Sequence, residues 1–334
     1  MAAKKLFMIP LAITIILFGV INSPRDKKIF VCADENYIKW IDFNITYPAL
    51  KKTMELDINS FDKDVKYNWI ELLSYLAVKY GGDFKKYNEK DVDDLIKKID
   101  TGQTILDLPS QKYYNYFYQA YSAVLGEFLG KYKIKTDDDN FQTYYGLKVF
   151  SPIAKGYAYH DFDDFGSSRS FGYKRKHLGH DIMALTGTPV IAIESGIIEA
   201  MGWNKYGGWR IGIRSFDKKR YYYYAHLRKN YPYVKTLRQG QKVTAGDVIG
   251  YVGRTGYSSI ENVNNIEQSH LHVGLQIIFD ESQKEGPNQI WIDLWNITKL
   301  LEKNRAIVKR IGDTKEFMHA IEIEDIANVS QDVN

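Results

Sequence analysis

Histidine is concentrated in one stretch of this chain, and this clustering constrains the fold more than any other feature. The chain has 334 residues and seven histidines, and five of these histidines lie in three short segments. The segments are His177–Asp181, Tyr224–Leu227 and Ser269–Val273. Imidazole and carboxylate groups without thiols are ligands that suit a zinc ion. The sequence therefore predicts a fold that brings three distant segments to one site.

The third segment predicts a β-strand with one polar and one apolar face. His270 and His272 project together because side chains two residues apart on a strand share a face. Gly274 and Gln276 continue this face, which we expect to line a cleft. The opposite face is apolar and is formed by Leu271, Val273, Leu275, Ile277 and Phe279.

The same alternation places His226 on one strand face with Tyr222 and Tyr224. His177 and Asp181 are four residues apart and can share a face if their segment is extended; Gly179 between them disfavours a helix. His180 would point to the opposite face, where it packs or supports its neighbours.

The motifs His-x-Gly-x-Asp, Tyr-x-His-Leu and His-Leu-His resemble the lysostaphin/LytM-type zinc endopeptidases of bacterial cell walls. The resemblance extends over about residues 151–279 and includes Gly187–Val190, Gly240–Val243, Ala245–Gly250 and Gly253–Gly256. It implies that one Zn²⁺ is held by His177, Asp181 and His272, and that water takes an open fourth position.

Catalysis would also need a base, and the sequence has no His-Glu-x-x-His motif to supply a glutamate. His226 and His270 are the candidates, because neutral imidazole titrates near working pH. The resemblance places both beside the metal. One would accept the proton of the attacking water and the other would stabilise the oxyanion or protonate the leaving amine; the sequence leaves their assignment open.

Other residues have both a binding and a structural interpretation. Arg169 and four aromatic residues could line the substrate groove or could be part of the scaffold: Tyr173, Trp203, Tyr206 and Trp209. The charged run Lys174–Lys176 could contact an anionic wall polymer or could simply be solvated. His160 is expected to be structural or to lie on the cleft rim.

The hydrophobic pattern predicts an α+β protein, with a helical domain at residues 35–135 followed by an antiparallel β-sheet domain at residues 145–305. The resemblance implies that this β-sheet domain is of LytM/lysostaphin type. Apolar residues at helical spacing begin at Trp69 and again at Val92, where Asn88 is a candidate N-cap. Short β-type segments punctuated by glycine follow, including Ile191–Ile198 and Arg220–Leu227. A polar tail at residues 306–334, with His319 on its surface, is expected to pack weakly.

Two lysines precede an apolar run at Leu6–Ile21, which predicts an N-terminal signal anchor or signal peptide within residues 1–28. This predicts a membrane partner and an extracytoplasmic location in the cell envelope, with the protein anchored or secreted. The single cysteine, Cys32, excludes an intramolecular disulfide and is interpreted as incidental.

We therefore expect a zinc-dependent endopeptidase that cleaves peptide cross-links or stem peptides of bacterial peptidoglycan. The net charge of +4 is compatible with an anionic wall but does not indicate nucleic acid as a partner. The helical domain could bind other cell-envelope proteins. The main alternative is a non-catalytic wall-binding scaffold or an activator of other cell-wall hydrolases. A carrier or phosphotransfer domain is disfavoured by Asp181 and the N-terminal apolar run.

Overall fold

A computed structural model gives the fold of the chain and describes residues 37–105, 111–136, 140–284, 286 and 288–326. The predicted signal anchor or signal peptide, Cys32 and residues 137–139 lie outside the described residues. Within the described ranges, we find no helix with the length and apolar character needed to span a membrane.

Helices dominate the first part of the described chain. Asn68 begins the second helix by accepting hydrogen bonds from the backbone N–H groups of Ile70 and Glu71, and Gly81 ends it in the left-handed conformation at φ 64°. Asn88 caps the third helix as predicted. The α-helices are α1 (Tyr47–Ser60), α2 (Trp69–Tyr80), α3 (Glu89–Asp100), α4 (Gln111–Leu125) and, much later, α5 (Trp295–Leu301).

Antiparallel strands follow α4. They are β1 (Leu129–Lys135), β2 (Phe141–Leu147), β3 (Tyr159–Asp161), β4 (Ser168–Phe171), β5 (Tyr173–Lys176), β6 (His180–Ala184), β7 (Pro189–Ile191), β8 (Gly196–Asn204), β9 (Gly208–Ser215), β10 (Arg220–Ala225), β11 (Lys242–Val243), β12 (Val248–Tyr251), β13 (His270–Ile277), β14 (Ile290–Ile292), β15 (Val308–Arg310), β16 (Phe317–His319) and β17 (Ile323–Asp325). N-terminal helices followed by antiparallel sheets confirm the predicted fold class.

The main sheet has eight strands in the order β11-β8-β9-β10-β13-β6-β3, and β14 pairs with β13 beside this path. Strand β13 lies between β10 and β6, and its register aligns His272 with Asp181 on β6 and with Ala225 on β10. This pairing brings the three histidine segments into contact although they are far apart in sequence.

The predicted apolar face of β13 is confirmed, since Leu271, Val273, Leu275 and Ile277 are fully buried. They belong to one hydrophobic cluster that also includes core residues of the helices, such as Trp69. The described residues from Tyr37 onwards form one compact unit. A division into separate domains at 35–135 and 145–305 stays a prediction.

The predicted strand Ile191–Ile198 is wrong, because the chain leaves β7 after Ile191 and enters β8 only at Gly196. A Cβ at position 196 would lie 2.3 Å from the backbone oxygen of Arg214, so only glycine allows the close approach of β9.

The expectation of a weakly packed tail is also wrong for its described part. Strand β17 pairs with β1, and charge complementarity supports the pairing because Glu324 and Glu322 form ion pairs with Lys133 and Lys135. His319 packs edge-on against the Phe150 ring at 5.5 Å and is therefore not simply a surface residue.

Candidate metal centre and cleft

The histidine segments meet in an open cleft on the polar face of β10 and β13. Its lining residues run from Arg169 to Trp291, so none of the described residues of α1–α4 contributes to it. Gln276 and His272 line the cleft from β13, as the alternation predicted. The cleft is therefore a property of the β part of the chain.

Three side chains converge at the floor of this cleft. His177 Nε2 lies 2.8 Å from His272 Nδ1, and both nitrogens lie 3.0 Å from Asp181 Oδ1. His177 and Asp181 are buried, and His272 is largely enclosed. The three potential ligand atoms thus form a nearly equilateral triangle that leaves one side open to the cleft.

This triangle suits a tetrahedral metal with two nitrogen ligands and one oxygen ligand. Zinc bonds of about 2.1 Å separate neighbouring ligand atoms by about 3.4 Å, so the triangle would widen by about 0.5 Å on binding. Gly179 makes the arrangement possible, because a Cβ at this position would lie 2.6 Å from His272 Cε1. The donor set and its geometry therefore fit a zinc ion.

Asp164 holds the imidazole of His177 from the side opposite the triangle. His177 Nδ1 lies 3.1 Å from Asp164 Oδ2 and 3.2 Å from the Asp164 carbonyl oxygen. Because these oxygens accept, the proton of the neutral ring is placed on Nδ1 and the Nε2 lone pair faces the triangle. The carboxylate of Asp164 thus sets the tautomer that a metal ligand needs.

Arg169 completes the cluster. Its Nη2 lies 2.8 Å from Asp164 Oδ2 and 3.0 Å from Asp181 Oδ2. Asp181 therefore directs one oxygen to the guanidinium and the other to the histidines. The guanidinium fixes the rotation of this carboxylate and offsets the like charge of the two aspartates.

His226 reaches the cleft, but it does not share a strand face with Tyr222 and Tyr224 as the sequence analysis predicted. Tyr222 and Tyr224 are buried in the core, whereas Tyr221 and Tyr223 line the cleft. Strand β10 ends at Ala225, and His226 adopts a left-handed φ of 60°, so its side chain leaves the alternation and turns into the cleft. A backbone hydrogen bond of 2.7 Å from His226 N to Gly207 O holds this conformation.

His226 and His270 stand together beside the triangle, with ring centroids 4.8 Å apart. His226 Nδ1 donates to Thr255 O at 2.9 Å, and His270 Nδ1 donates to Gln268 O at 2.9 Å. Each ring therefore has an unprotonated Nε2 when neutral. His270 Nε2 lies 3.8 Å from Asp181 Oδ1, on the side of the potential ligand atoms.

The charge states of the cluster follow from burial and hydrogen bonding. Burial raises the pKa of Asp181, but hydrogen bonds from His177 and His272 outweigh it and hold the pKa well below its usual range. Burial lowers the pKa of His177, yet its bonds to Asp164 and Asp181 raise the net value to about 9. Burial and the neighbouring imidazoles lower the pKa of His226 and favour its neutral form.

The other candidates divide between the cleft and the scaffold. Tyr206 lines the cleft together with the Arg175 and Lys176 members of the charged run. Trp203 and Trp209 instead pack on each other with ring centroids 5.7 Å apart. The remaining candidates lie away from the triangle: Tyr173 and His160 are exposed, and His180 is buried behind Asp164, 3.5 Å from its Oδ1.

Sequence analysis missed Asp164, and it did not assign the central place of Arg169. The available signal was the acidic cluster Asp161–Asp164 ahead of His177. Asp161 accepts a 2.8 Å hydrogen bond from His180 Nε2, so the cluster supplies partners to two histidines. Carboxylates commonly bind the second ring nitrogen of a metal-ligating histidine, so an acidic cluster of this kind indicates such partners.

A buried triangle of two histidines and one aspartate, open on one side and flanked by two more histidines, is characteristic of the class of metal-dependent hydrolases. Comparison with known sequences specifies this class, because the profile of Peptidase family M23 matches residues 175–285. This segment is a Peptidase family M23 domain.

Two curated relatives agree with this assignment. An L-Ala–D-Glu endopeptidase of Bacillus subtilis is 41% identical over 124 residues, which are 37% of this chain and 36% of the relative. Lysostaphin of Staphylococcus staphylolyticus is 39% identical over 89 residues, which are 26% of this chain and 18% of lysostaphin. The chain thus matches about a third or less of each relative's length.

The crystal structure of lytM from Ruminococcus gnavus covers 79% of this chain and 91% of its own, with a TM-score of 0.51 and 23% identity. At that identity the likeness shows the fold alone. It extends the resemblance in fold beyond the segment that the family profile matches.

Proposed function

We propose that the protein is a zinc-dependent endopeptidase of bacterial peptidoglycan, with His177, Asp181 and His272 as metal ligands. The observation that carries the proposal is the triangle of ligand atoms with edges of 2.8 to 3.0 Å at the floor of an open cleft. Three protein ligands with one open side are typical of catalytic sites, whereas structural zinc sites are closed.

Zinc in this position would lower the pKa of a water to near 7 and polarise the carbonyl of the scissile bond. The Nε2 atoms of His226 and His270 are available for proton transfer, because backbone carbonyls occupy both Nδ1 atoms. We assign the role of proton acceptor to His270, whose Nε2 lies 3.8 Å from Asp181 Oδ1. His226 would then stabilise the developing oxyanion or protonate the leaving amine.

The surroundings of the triangle suit an extended peptide. Tyr221 and Tyr223 from β10 and Gln276 from β13 present a mixed aromatic and polar wall along the cleft. The matched relatives are named as an L-Ala–D-Glu endopeptidase and as lysostaphin. These names support stem peptides or cross-links of peptidoglycan as the substrate, and the cell envelope outside the cytoplasm as the place of action.

The competing function is that of a scaffold or activator that binds wall polymer without cleaving it. The geometry favours the enzyme, because a scaffold has no need for two further histidines whose Nε2 atoms remain available beside the ligand triangle. We retain the proposed division into a helical part and a catalytic part, in which the helices could bind other envelope proteins.

Mass spectrometry of soluble peptides released from defined peptidoglycans, together with the zinc content of the protein, tests the proposal. The zinc-loaded protein should release peptides, and chelation or His272→Ala should abolish release. His160→Ala is the matched control, because His160 is exposed and does not line the metal cleft. Bound zinc without release from any preparation would favour the scaffold.

A further inference from the structure

Arg175 occupies one wall of the cleft in an environment that prepares it for a ligand. Its guanidinium carbon lies 5.1 Å from the Tyr206 ring centroid and 5.3 Å from the Tyr257 ring centroid. Its Nη2 donates to the Tyr257 hydroxyl at 3.1 Å. Two aromatic rings and one hydrogen bond therefore hold the guanidinium in a fixed orientation, which lowers the entropy cost of binding.

One nitrogen of this guanidinium has no hydrogen-bond partner among the described residues. This nitrogen is Arg175 Nη1, and it is buried. A buried donor without a partner destabilises the folded protein, and more so when the group is charged, so its retention calls for an explanation. The residue lines the same cleft as the ligand triangle, where an incoming substrate can supply the acceptor.

Arg175 and its partner across the β4–β5 hairpin, Arg169, differ in how their charges are balanced. Arg169 stands directly opposite on β4, and its charge is matched by the carboxylates of Asp164 and Asp181. Within the described residues, Arg175 has no carboxylate partner of this kind. The β4–β5 hairpin thus brings one matched and one unmatched arginine to the cleft.

We propose that Arg175 is a substrate-binding residue that pairs with a carboxylate on the peptide, so that the cleft prefers an acidic peptide to its amidated form. The inference rests on the proposed peptidase function and names the substrate feature that this wall recognises. A planar guanidinium can bind a carboxylate in two-point geometry, which an uncharged carboxamide cannot reproduce.

The distance to the proposed centre limits where the carboxylate lies in the substrate. The Tyr257 ring is close to both Arg175 and His226, with its centroid 5.3 Å from the Arg175 guanidinium carbon and 5.6 Å from the His226 ring centroid. An extended peptide advances about 3.3–3.6 Å per residue. The carboxylate therefore belongs to one of the three residues nearest the scissile bond.

The test compares two stem-like tetrapeptides that contain an L-Ala–D-Glu bond and differ in one group. In one, the free carboxylate of D-Glu is intact, and in the other it is a carboxamide. Affinities are measured by calorimetry on zinc-loaded protein in a His226→Ala background, which the proposed mechanism expects to block turnover. Release of peptides from peptidoglycan by the wild-type protein is measured in parallel.

We expect the acidic peptide to bind about ten- to a hundredfold more tightly than the amide, as for a charge-assisted pair. Arg175→Gln should remove this preference and weaken only the acidic peptide, while Arg175→Lys should retain part of it. Lys174→Gln is the control, since it removes an exposed charge from the same strand and should leave the preference intact. Thermal melting of each variant checks its folding.

Equal affinity for the two peptides, no detectable binding of the acidic peptide at millimolar concentration, or a preference that persists in folded Arg175→Gln would overturn the inference. The parallel assay keeps the two proposals apart. Failure of the wild-type protein to release peptides from any peptidoglycan contradicts the endopeptidase function, whereas loss of the carboxylate preference alone contradicts only the role of Arg175.

Discussion

Asp164 Oδ2 lies 3.1 Å from His177 Nδ1, while Nε2 of the same ring lies 3.0 Å from Asp181 Oδ1. One imidazole therefore connects a buried carboxylate to the potential ligand triangle. Asp164 would therefore support a metal site as a positioning residue, because it fixes both the tautomer and the orientation of His177.

Asp164→Asn should lower the affinity for zinc about 10- to 100-fold, the usual cost of removing such a partner. The amide can present its NH₂ group to Nδ1 and so favour the wrong tautomer. Competition with a chromophoric chelator measures the affinity. Asp163→Asn is the matched control, because Asp163 is an exposed neighbour. Equal zinc affinity in wild type and Asp164→Asn would contradict the assigned role.

Arg169→Met should destabilise the metal-free protein by about 1–3 kcal/mol, the cost of removing a charged hydrogen-bond partner from buried carboxylates. Asp164 and Asp181 both lose their guanidinium contact, and their like charges then repel. Bound zinc would neutralise Asp181, so the loss should be smaller in the zinc-loaded protein. Denaturant unfolding with and without zinc measures both values.

Arg169→Lys provides the comparison for this prediction. Lysine keeps the charge but lacks the planar fork that contacts both carboxylates, so its effect should be intermediate. An Arg169→Met variant that is equally destabilised with and without zinc would show that the arginine acts on the fold and not on the charge balance of the metal centre.

The sequence was sufficient to predict the α+β class and the strand that carries His270 and His272. Both predictions depend on periodicity: apolar side chains alternate along β13, and the helical stripe that begins at Trp69 is buried. Periodic patterns are reliable predictors of these elements because the burial of one face determines them. The family resemblance located the candidate ligands, which spacing alone could not have selected.

The position of His226 could not be predicted from alternation. A strand pattern assumes negative φ throughout, but His226 has φ 60° and turns to the opposite side. The conformation depends on Gly207 and Thr255, which are distant in sequence and become neighbours only in the folded sheet. The packing of the C-terminal tail was predicted wrongly for a related reason. Its strand β17 pairs with β1, which lies near the start of the β part of the chain.

Arg220 and Glu194 form a buried pair that connects the helices to the main sheet. Arg220 is fully buried, its Nε and Nη2 bind Glu194 at 2.8 and 3.1 Å, and its Nη1 donates to Ala123 O at 2.8 Å. Arg220→Met should cost about 3–5 kcal/mol, because Glu194 would remain charged and unpaired in the core.

The double variant Arg220→Met/Glu194→Leu should be less destabilised than Arg220→Met, since it leaves no unpaired charge on Glu194. Urea unfolding of the variants in a double-mutant cycle measures the coupling. Lys219→Gln, an exposed neighbour, is the control and should change stability little. Additive effects of the single variants would contradict a coupled pair.

His319 should make folding stability depend on pH. Burial lowers its pKa from 6.5 to about 4, so between these values the unfolded chain binds a proton that the folded chain does not. The free energy of unfolding therefore falls as pH decreases from 6.5 to 4. We expect a loss of about 1–2 kcal/mol from this residue, after allowance for solvent screening.

Denaturant unfolding at pH 7 and 4.5 should show a smaller loss of stability in His319→Gln than in wild type. His160→Gln, an exposed control, should lose as much stability as wild type. Equal losses in all three proteins would contradict the prediction.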